Sequence, residues 1–283
     1  MAVRSLDHAV IAAHDIDSLA GFWRRLGFNV SAQNLHPWGT RNHIIQFAGH
    51  FIELIGAGDA AKAPQRPLFA DRLLGFLAER QGMAMLALTS SDAAADVTGF
   101  TAARIAAGPV FSFTRSGEGP HQARKELGFD LAFAQSSLLQ QATFFTCHHR
   151  FPENFWSPAA RDHANGALAI RAVMMVARDP ADHAEFLRAV TGQPEMLATS
   201  FGLELRLDTA SLEMLSPPAW RFATGLADAP PDDGFAGLRL ATADLPGLAQ
   251  RLKAENIPAT LHQDRLVVAP RTAFGLALVF EAA

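Results

Sequence analysis

Two polar side chains interrupt apolar segments that lie far apart in the chain. His8 falls within the run DHAVIAA, and Glu53 falls within HFIELIG. A carboxylate in an apolar strand is costly unless it is paired or bound to a metal ion. A divalent cation bound by both side chains would account for the two polar groups together. The alternative is that His8 and Glu53 are hydrogen-bonded residues of the core, the usual role of a single histidine in a strand.

The segments around both residues recur later in the chain. Residues 6–28 match residues 170–192 without gaps, and residues 50–58 match residues 210–218. A repeat this long predicts two related halves of one structure rather than a solenoid.

The differences between the two copies indicate which half holds any reactive site. The glutamate is kept in both copies, as Glu53 and Glu213, whereas His8 is replaced by Ala172. Only the first copy therefore places an imidazole with the carboxylate. A glutamate that is kept without the histidine also favours a structural role for this position.

The elements that must position these residues follow one order, a strand, a helix and three strands, in four units. The units span about residues 5–57, 82–150, 167–217 and 235–282. Short runs of β-branched and small apolar residues predict the buried strands. Asp15 or Asp17 suits the N-cap of the first helix, because its side-chain oxygen can accept hydrogen bonds from the first-turn amides. Gly27 suits the C-terminal position that needs a positive φ.

Composition excludes several classes of protein. The 283-residue chain has a formal net charge of −4 and no basic run, so a nucleic-acid partner is not expected. Its single cysteine, Cys147, rules out an internal disulfide framework. No stretch approaches the ~20 apolar residues of a membrane span, and the N-terminus lacks the apolar run of a signal peptide. We therefore expect a cytoplasmic protein without a membrane partner.

The repeat, together with GTRNHIIQF, HHRFPENFW and DHANGA, resembles the vicinal oxygen chelate superfamily, and more narrowly its glyoxalase-like domain. The resemblance covers the first two units and the linker that follows them, whereas the last two units fit only in outline. It implies an α+β fold in which four βαβββ units pair into two curved, half-open mixed β-barrels with helices on the outside. Pairing of adjacent units gives residues 1–166 as the pair with the candidate site and residues 167–283 as a second, degenerate pair.

The same resemblance implies a divalent metal ion held by the first and last strands of paired units. His8 and Glu53 occupy two such positions, and His148 and His149 end the last strand of the second unit. Neighbouring residues of a strand face opposite ways, so only one of these two histidines can point into the barrel. The expected ligands are two histidines and one glutamate with open positions, which suits Zn, Fe, Mn, Ni or Co.

Three further residues are candidates for contacts with substrate. Arg41 can hold a carboxylate through its paired donors, Trp156 can form a wall of the pocket, and His163 can approach the metal ion. The alternatives are a solvated side chain for Arg41, packing of the linker for Trp156 and loop capping for His163. Cys147 is expected to be buried and inert.

The resemblance implies a metal-dependent isomerase or lyase that acts on a small substrate with adjacent oxygens. The metal ion would stabilise an enediolate-like anion as a Lewis acid, and Glu53 would move the proton. The alternative is a non-catalytic small-molecule or drug-binding resistance protein of the same fold. Extradiol ring cleavage is disfavoured, because enzymes of that kind generally use a tyrosine and this chain has none. The expected partner is a small-molecule substrate, and a homodimer is one option for the assembly.

Overall fold

Two eight-stranded mixed sheets, each built from two βαβββ units, make up the fold. The computed structural model describes residues 3–63, 66–118, 124–227, 229–230 and 233–283. The predicted α+β architecture of paired, curved half-barrels is confirmed. We call the two sheets sheet A and sheet B in chain order.

Sheet A is formed by the first two units, and its strand order is β2-β3-β4-β1-β5-β8-β7-β6. The elements of this half are β1 (Leu6–Ala12), α1 (Ile16–Arg25), β2 (Asn34–Leu35), β3 (Arg41–Gln46), β4 (Phe51–Gly56), α2 (Leu68–Glu79), β5 (Gly82–Thr89), α3 (Ala93–Ala102), β6 (Phe111–Glu118), β7 (Arg124–Ala134), β8 (Thr143–His149) and α4 (Pro152–Phe155).

Sheet B repeats this arrangement in the second half, with the order β10-β11-β12-β9-β13-β16-β15-β14. Its elements are β9 (Ala167–Val176), α5 (Ala184–Thr191), β10 (Leu197–Thr199), β11 (Gly202–Arg206), β12 (Ser211–Leu215), α6 (Pro217–Thr224), β13 (Gly234–Thr242), α7 (Leu245–Ala254), β14 (Thr260–His262), β15 (Arg265–Val268) and β16 (Ala277–Ala282).

The first and last strands of each unit lie side by side in the middle of the sheet. In sheet A, β1 is parallel to β4 and antiparallel to β5, and β5 is parallel to β8. Side chains from these four central strands therefore project onto a common face, although they come from distant parts of the chain.

The local signals for α1 are confirmed. The side chain of Asp15 caps the helix, with Oδ1 accepting a hydrogen bond from the Ser18 amide at 3.0 Å. Gly27, just beyond the helix, has a φ of 94°, which a residue with a Cβ atom adopts only with strain. The helix buries Leu19 and Trp23 against the sheet.

The helices of the four units lie in one apolar core that the two sheets share. Trp23, Phe100, Phe186 and Leu248, one from each unit helix, belong to this core together with residues of both sheets. The inner face of sheet A has a separate apolar cluster. Among the described residues, no helix combines the length and the apolar character needed to cross a membrane.

Helix α2 closes the inner face of sheet A, and we did not predict it from the sequence. It packs Phe69, Leu73 and Phe76 into the inner cluster. The spacing of these three residues is a helical signal in retrospect. Helix α6 has the corresponding place in the second half and buries Trp220.

Candidate metal centre

The inner face of sheet A encloses a cavity of about 40 Å³. A single water needs about 10–15 Å³ on the same scale, so the cavity can hold an ion and a small group of atoms. It is lined by the polar side chains of His8, His36, Asn42, Glu53 and Arg115, by Cys147, and by the aromatic rings of Phe51, Phe69, Phe113, Phe129, Phe145 and Phe155.

A β-bulge in β1 brings Asp7 and His8 together. Leu6 lies opposite Leu88 and His8 lies opposite Ala87, so Asp7 is an extra residue in the pairing with β5. A bulge re-aims side chains that would otherwise point to opposite faces of the strand. Oδ1 of Asp7 thereby lies 2.5 Å from Nδ1 of His8, although the two residues are neighbours in the chain.

The contact with Asp7 prepares His8 to bind a cation. A carboxylate at Nδ1 favours the tautomer with its hydrogen on that nitrogen and leaves the lone pair of Nε2 free. The imidazole ring also stacks on Phe51, with centroids 4.3 Å apart and planes 15° apart. Burial alone would raise the pKa of Asp7, but the charges and hydrogen bonds of His149 and His8 lower it to about 2. Asp7 is therefore ionised at neutral pH.

Glu53 lies on β4, a strand that pairs with β1. Its backbone is in register with Val10, and its Oε2 is 3.9 Å from Nε2 of His8. Asn42 donates a hydrogen bond from Nδ2 to Oε1. Burial raises the pKa of Glu53, against the opposing effects of His8, Asn42 and Arg115. A carboxylate with a raised pKa is a stronger base than an exposed one.

His36 is the second imidazole beside Glu53, and we did not foresee it from the sequence. Its Nε2 is 3.7 Å from Oε1 of Glu53, and its Nδ1 is 2.8 Å from Oγ1 of Thr40. The ring stacks on Trp38 with centroids 4.6 Å apart. Burial, followed by electrostatic interactions with Arg115 and His8, lowers the pKa of His36 to about 3. The imidazole is therefore neutral, the form that binds metal ions.

The two histidines at the end of β8 lie on opposite faces of the strand. His149 is on the inner side, where Nε2 is 3.2 Å from Oδ2 of Asp7. His148 is on the outer side, with Nδ1 3.4 Å from Oδ2 of Asp130 and 35% of its side chain exposed. His149 thus contacts Asp7, the partner of His8, whereas His148 lies away from the site.

The three residues proposed for substrate contacts lie outside the cavity lining that the structure describes. Arg41 is exposed at the start of β3, and Trp156 is half-buried beside His149. The two ring nitrogens of His163 bind backbone groups, the amide of Asn29 at 3.1 Å and the carbonyl of Gln46 at 3.0 Å. His163 therefore joins the linker after β8 to the first unit.

A second group of metal-ligand types shares His8. The ligand atoms of Asp7, His8 and Cys147 lie within 4.8 Å of one another, and no other three such residues in the described ranges do so. Burial, followed by the negative charges of Asp7, Glu53 and Asp130, raises the pKa of the Cys147 thiol well above its usual range. A thiol must lose its proton to bind a metal ion. A ligand set of His8, His36 and Glu53 needs no thiolate, so we favour it over the set that includes Cys147.

Sheet B has an ion pair where sheet A has the histidine and glutamate. Nη2 of Arg239 is 2.9 Å from Oε1 of Glu213, and Arg239 lies in register with Ala172, the counterpart of His8. The guanidinium forms an ion pair with the carboxylate that a metal ion would need as a ligand. Glu213 therefore has a structural partner, which explains a glutamate kept without the histidine.

Comparison with known sequences identifies one family. The family model described as a glyoxalase-like domain matches residues 6–191, which include all of sheet A and the start of sheet B. Among curated proteins, none matches the chain in sequence.

Solved structures share the fold over nearly the whole chain at low sequence identity. A hypothetical protein from Staphylococcus aureus has a TM-score of 0.66 at 11% identity, covering 99% of this chain and 100% of that one. An Mn(II)-bound glyoxalase from Novosphingobium aromaticivorans has a TM-score of 0.59 at 11% identity, covering 99% and 82%. A variant of 4-hydroxymandelate synthase from Streptomyces coelicolor has a TM-score of 0.59 at 13% identity, covering 100% and 93%. At these identities the likeness concerns the fold.

Proposed function

This chain belongs to the glyoxalase-like domain family, and we propose that the cavity of sheet A binds one divalent metal ion and catalyses proton transfer on a small substrate with adjacent oxygens. The proposal depends on one observation above all, the approach of Nε2 of His8 to Oε2 of Glu53 at 3.9 Å inside a buried cavity. The manganese bound by the glyoxalase of the same fold supports it.

The donor set fits a divalent ion. His8, His36 and Glu53 would hold it, and each imidazole nitrogen lies 3.7–3.9 Å from a Glu53 oxygen. Two donors that are each about 2.0–2.2 Å from one ion lie at most about 4.4 Å apart, a limit that each imidazole–carboxylate pair meets. The ligand atoms of all three residues do not lie within 4.8 Å of one another, so a bound ion would draw the three side chains closer together. When bound, such an ion supplies Lewis acidity that polarises a substrate carbonyl.

Glu53 is the group that moves the proton. Asn42 donates a hydrogen bond to Oε1, whereas Oε2, on the side of His8, accepts a proton from the carbon next to the substrate carbonyl. For a hydroxy ketone, the same oxygen returns that proton to the former carbonyl carbon while the hydroxyl proton passes to the former carbonyl oxygen, which completes an isomerisation. The raised pKa of Glu53, caused by burial, makes it a better proton acceptor near neutral pH.

The remaining residues orient and shield the reacting groups. Asp7 fixes the tautomer and direction of His8. Rings such as Phe113 and Phe129 exclude water from the cavity, which strengthens the electrostatic interactions inside it.

The size of the cavity favours catalysis on a small molecule over drug sequestration. Pockets for drug-sized ligands enclose about 300–1,000 Å³, whereas this cavity measures about 40 Å³. A resistance protein that binds a whole drug would need a much larger cavity on the inner face of sheet A.

Metal analysis tests the proposed centre. Protein purified without a chelator or an affinity tag should contain about one divalent ion per chain, as expected for one three-ligand site. His8→Ala should lose the ion, whereas His148→Gln should retain it, because His148 lies on the outer face. Full retention of metal by His8→Ala, or a metal-free wild type after reconstitution, would contradict the proposal.

Proton transfer is tested separately by NMR in deuterated water. Hydroxyacetone has adjacent oxygens and exchangeable carbon-bound hydrogens, and the metal-loaded protein should accelerate their replacement by deuterium. Glu53→Gln should abolish the acceleration, because an amide oxygen cannot accept the proton as a base. Unchanged exchange in Glu53→Gln would exclude this carboxylate as the base.

A further inference from the structure

Arg115 is the one cationic side chain among the described residues that line the cavity. It lies on β6, the edge strand of sheet A. Its Nε is buried and has no hydrogen-bond partner. The ion pairs that the structure records for Glu53 are with His8 and His36, and none joins Glu53 to Arg115 in the described part of the chain.

A buried guanidinium nitrogen without a hydrogen-bond partner is costly, so the retention of Arg115 needs an explanation. The aromatic surroundings offset part of this cost, since Cζ of Arg115 lies 6.0 Å from the centroid of the Phe129 ring and a cation is attracted to a ring face at this distance. The ring contact supplies no hydrogen-bond acceptor. The donors of Arg115 therefore remain available to a ligand in the cavity.

The distribution of charge indicates the sign of that ligand. In and beside the cavity, Glu53 and Asp7 contribute two negative charges, while a divalent ion and Arg115 would contribute three positive charges. The loaded cavity would then have one excess positive charge, which a monoanion neutralises. Arg115 and Glu53 line the same cavity without touching. An anion bound to Arg115 and a metal ion bound to Glu53 would therefore place positive and negative charges alternately across the cavity.

We propose that Arg115 binds the carboxylate of the substrate, so that the enzyme acts on small carboxylic acids with a carbonyl and a further oxygen on the adjoining carbons. This inference rests on the proposed function. The planar guanidinium matches a carboxylate through paired hydrogen bonds. The cavity of about 40 Å³ has room for only a small group of atoms beside an ion, which favours the smallest acids of this kind.

Calorimetric binding to the metal-loaded protein tests the inference with a matched pair of probes. Pyruvate and pyruvamide have the same shape and the same adjacent carbonyl groups, and only pyruvate has a negative charge. Wild type should bind pyruvate about 10- to 100-fold more tightly than pyruvamide, the range expected for hydrogen bonds to a charged group. Arg115→Met should remove that preference, and Arg115→Lys should keep part of it, since lysine retains the charge without the paired donors.

Arg25→Met is the matched control, because Arg25 is an exposed arginine on α1 outside the cavity. It should bind pyruvate as wild type does. An equal affinity of wild type for both probes, or an unchanged preference in Arg115→Met, would overturn the inference.

Metal content measured on the same samples separates this inference from the proposed function. A protein with about one ion per chain and no preference for pyruvate would overturn the role of Arg115 alone. Arg115-dependent binding of pyruvate by a protein that takes up no metal would overturn the metal centre and support the carboxylate site. Circular dichroism of Arg115→Met establishes that lost binding does not reflect lost folding.

Discussion

Asp7 and His8 are adjacent in the chain, yet Oδ1 of Asp7 lies 2.5 Å from Nδ1 of His8 because a bulge at Asp7 interrupts the pairing of β1 with β5. A carboxylate that binds the far nitrogen of a metal-ligating histidine fixes the ring and increases its basicity. The same carboxylate also binds His149. Asp7 therefore links the imidazole of the candidate centre to the end of β8.

Asp7→Asn should weaken binding of a divalent ion by about 10- to 100-fold, the usual effect of removing such a supporting group. The amide keeps the shape of the side chain and loses its charge. Competition with a fluorescent chelator measures the change. Asp130→Asn is the control, since Asp130 contacts His148 on the outer face. An equal loss in both variants would show that the effect is not specific to Asp7.

His36→Gln should remove one imidazole from the metal ion, and His149→Gln should remove none. The reason is geometric, because His36 lies beside Glu53 whereas His149 lies beside Asp7. Pulsed electron paramagnetic resonance on protein loaded with a paramagnetic ion counts the coupled imidazole nitrogens. Two imidazoles are expected in wild type and in His149→Gln, and one in His36→Gln. The reverse pattern would assign the second ligand to His149.

Cys147→Ala should keep the metal ion and lose about 1 kcal/mol of stability from the small void it creates. Burial raises the pKa of the thiol well above its usual range, so the thiolate needed for ligation is scarce at neutral pH. The cobalt-loaded wild type should accordingly lack a sulfur-to-metal charge-transfer band. Such a band, absent from the variant, would favour the ligand group of Asp7, His8 and Cys147.

His50 should make the free energy of unfolding depend on pH. Its Nε2 accepts a hydrogen bond from the amide of Ile170 at 3.0 Å, which connects β9 to the first unit. Burial lowers the pKa of His50 from 6.5 to about 4, so the folded state holds the neutral form. Between these pH values the unfolded state binds more protons than the folded state. The contribution of neutral His50 to the free energy of unfolding is therefore complete above pH 6.5 and is lost as the pH falls towards 4.

The loss amounts to roughly 3 kcal/mol on acidification, from about 1.4 kcal/mol per pKa unit. His50→Gln keeps an acceptor for the Ile170 amide and cannot titrate. Denaturant unfolding at pH 7 and pH 4 should show a smaller loss for the variant than for wild type, and the difference isolates His50 from other buried histidines. Parallel pH profiles for the two proteins would contradict the assignment.

Arg239→Met should lower the free energy of unfolding by about 1–3 kcal/mol, because it leaves Glu213 partly buried without its partner. Burial already raises the pKa of Glu213, and the charge of Arg239 opposes this effect. The double variant with Glu213→Met should recover most of the loss in a double-mutant cycle. Metal content should not change, since the pair lies in sheet B. Loss of metal from Arg239→Met would place a metal ion in the second half.

The sequence by itself determined the four repeated units and their strands and helices, but not helix α2 between the first two units. Apolar runs predicted strands, and the caps at Asp15 and Gly27 bounded the first helix, because these signals depend on a few neighbouring residues. It also singled out His8 and Glu53, since a polar residue inside an apolar strand is conspicuous at any distance from its partner. These two side chains do lie in one cavity.

Only the tertiary structure decided which other groups surround them. His36 and Arg115 come from a turn and from an edge strand, and neither position is marked in the sequence. The bulge at Asp7 depends on the register between two strands about eighty residues apart, and His163, expected near the metal ion, binds backbone groups instead. Caps and apolar runs are local interactions, whereas a site inside a curved sheet depends on the register and curvature of all its strands together.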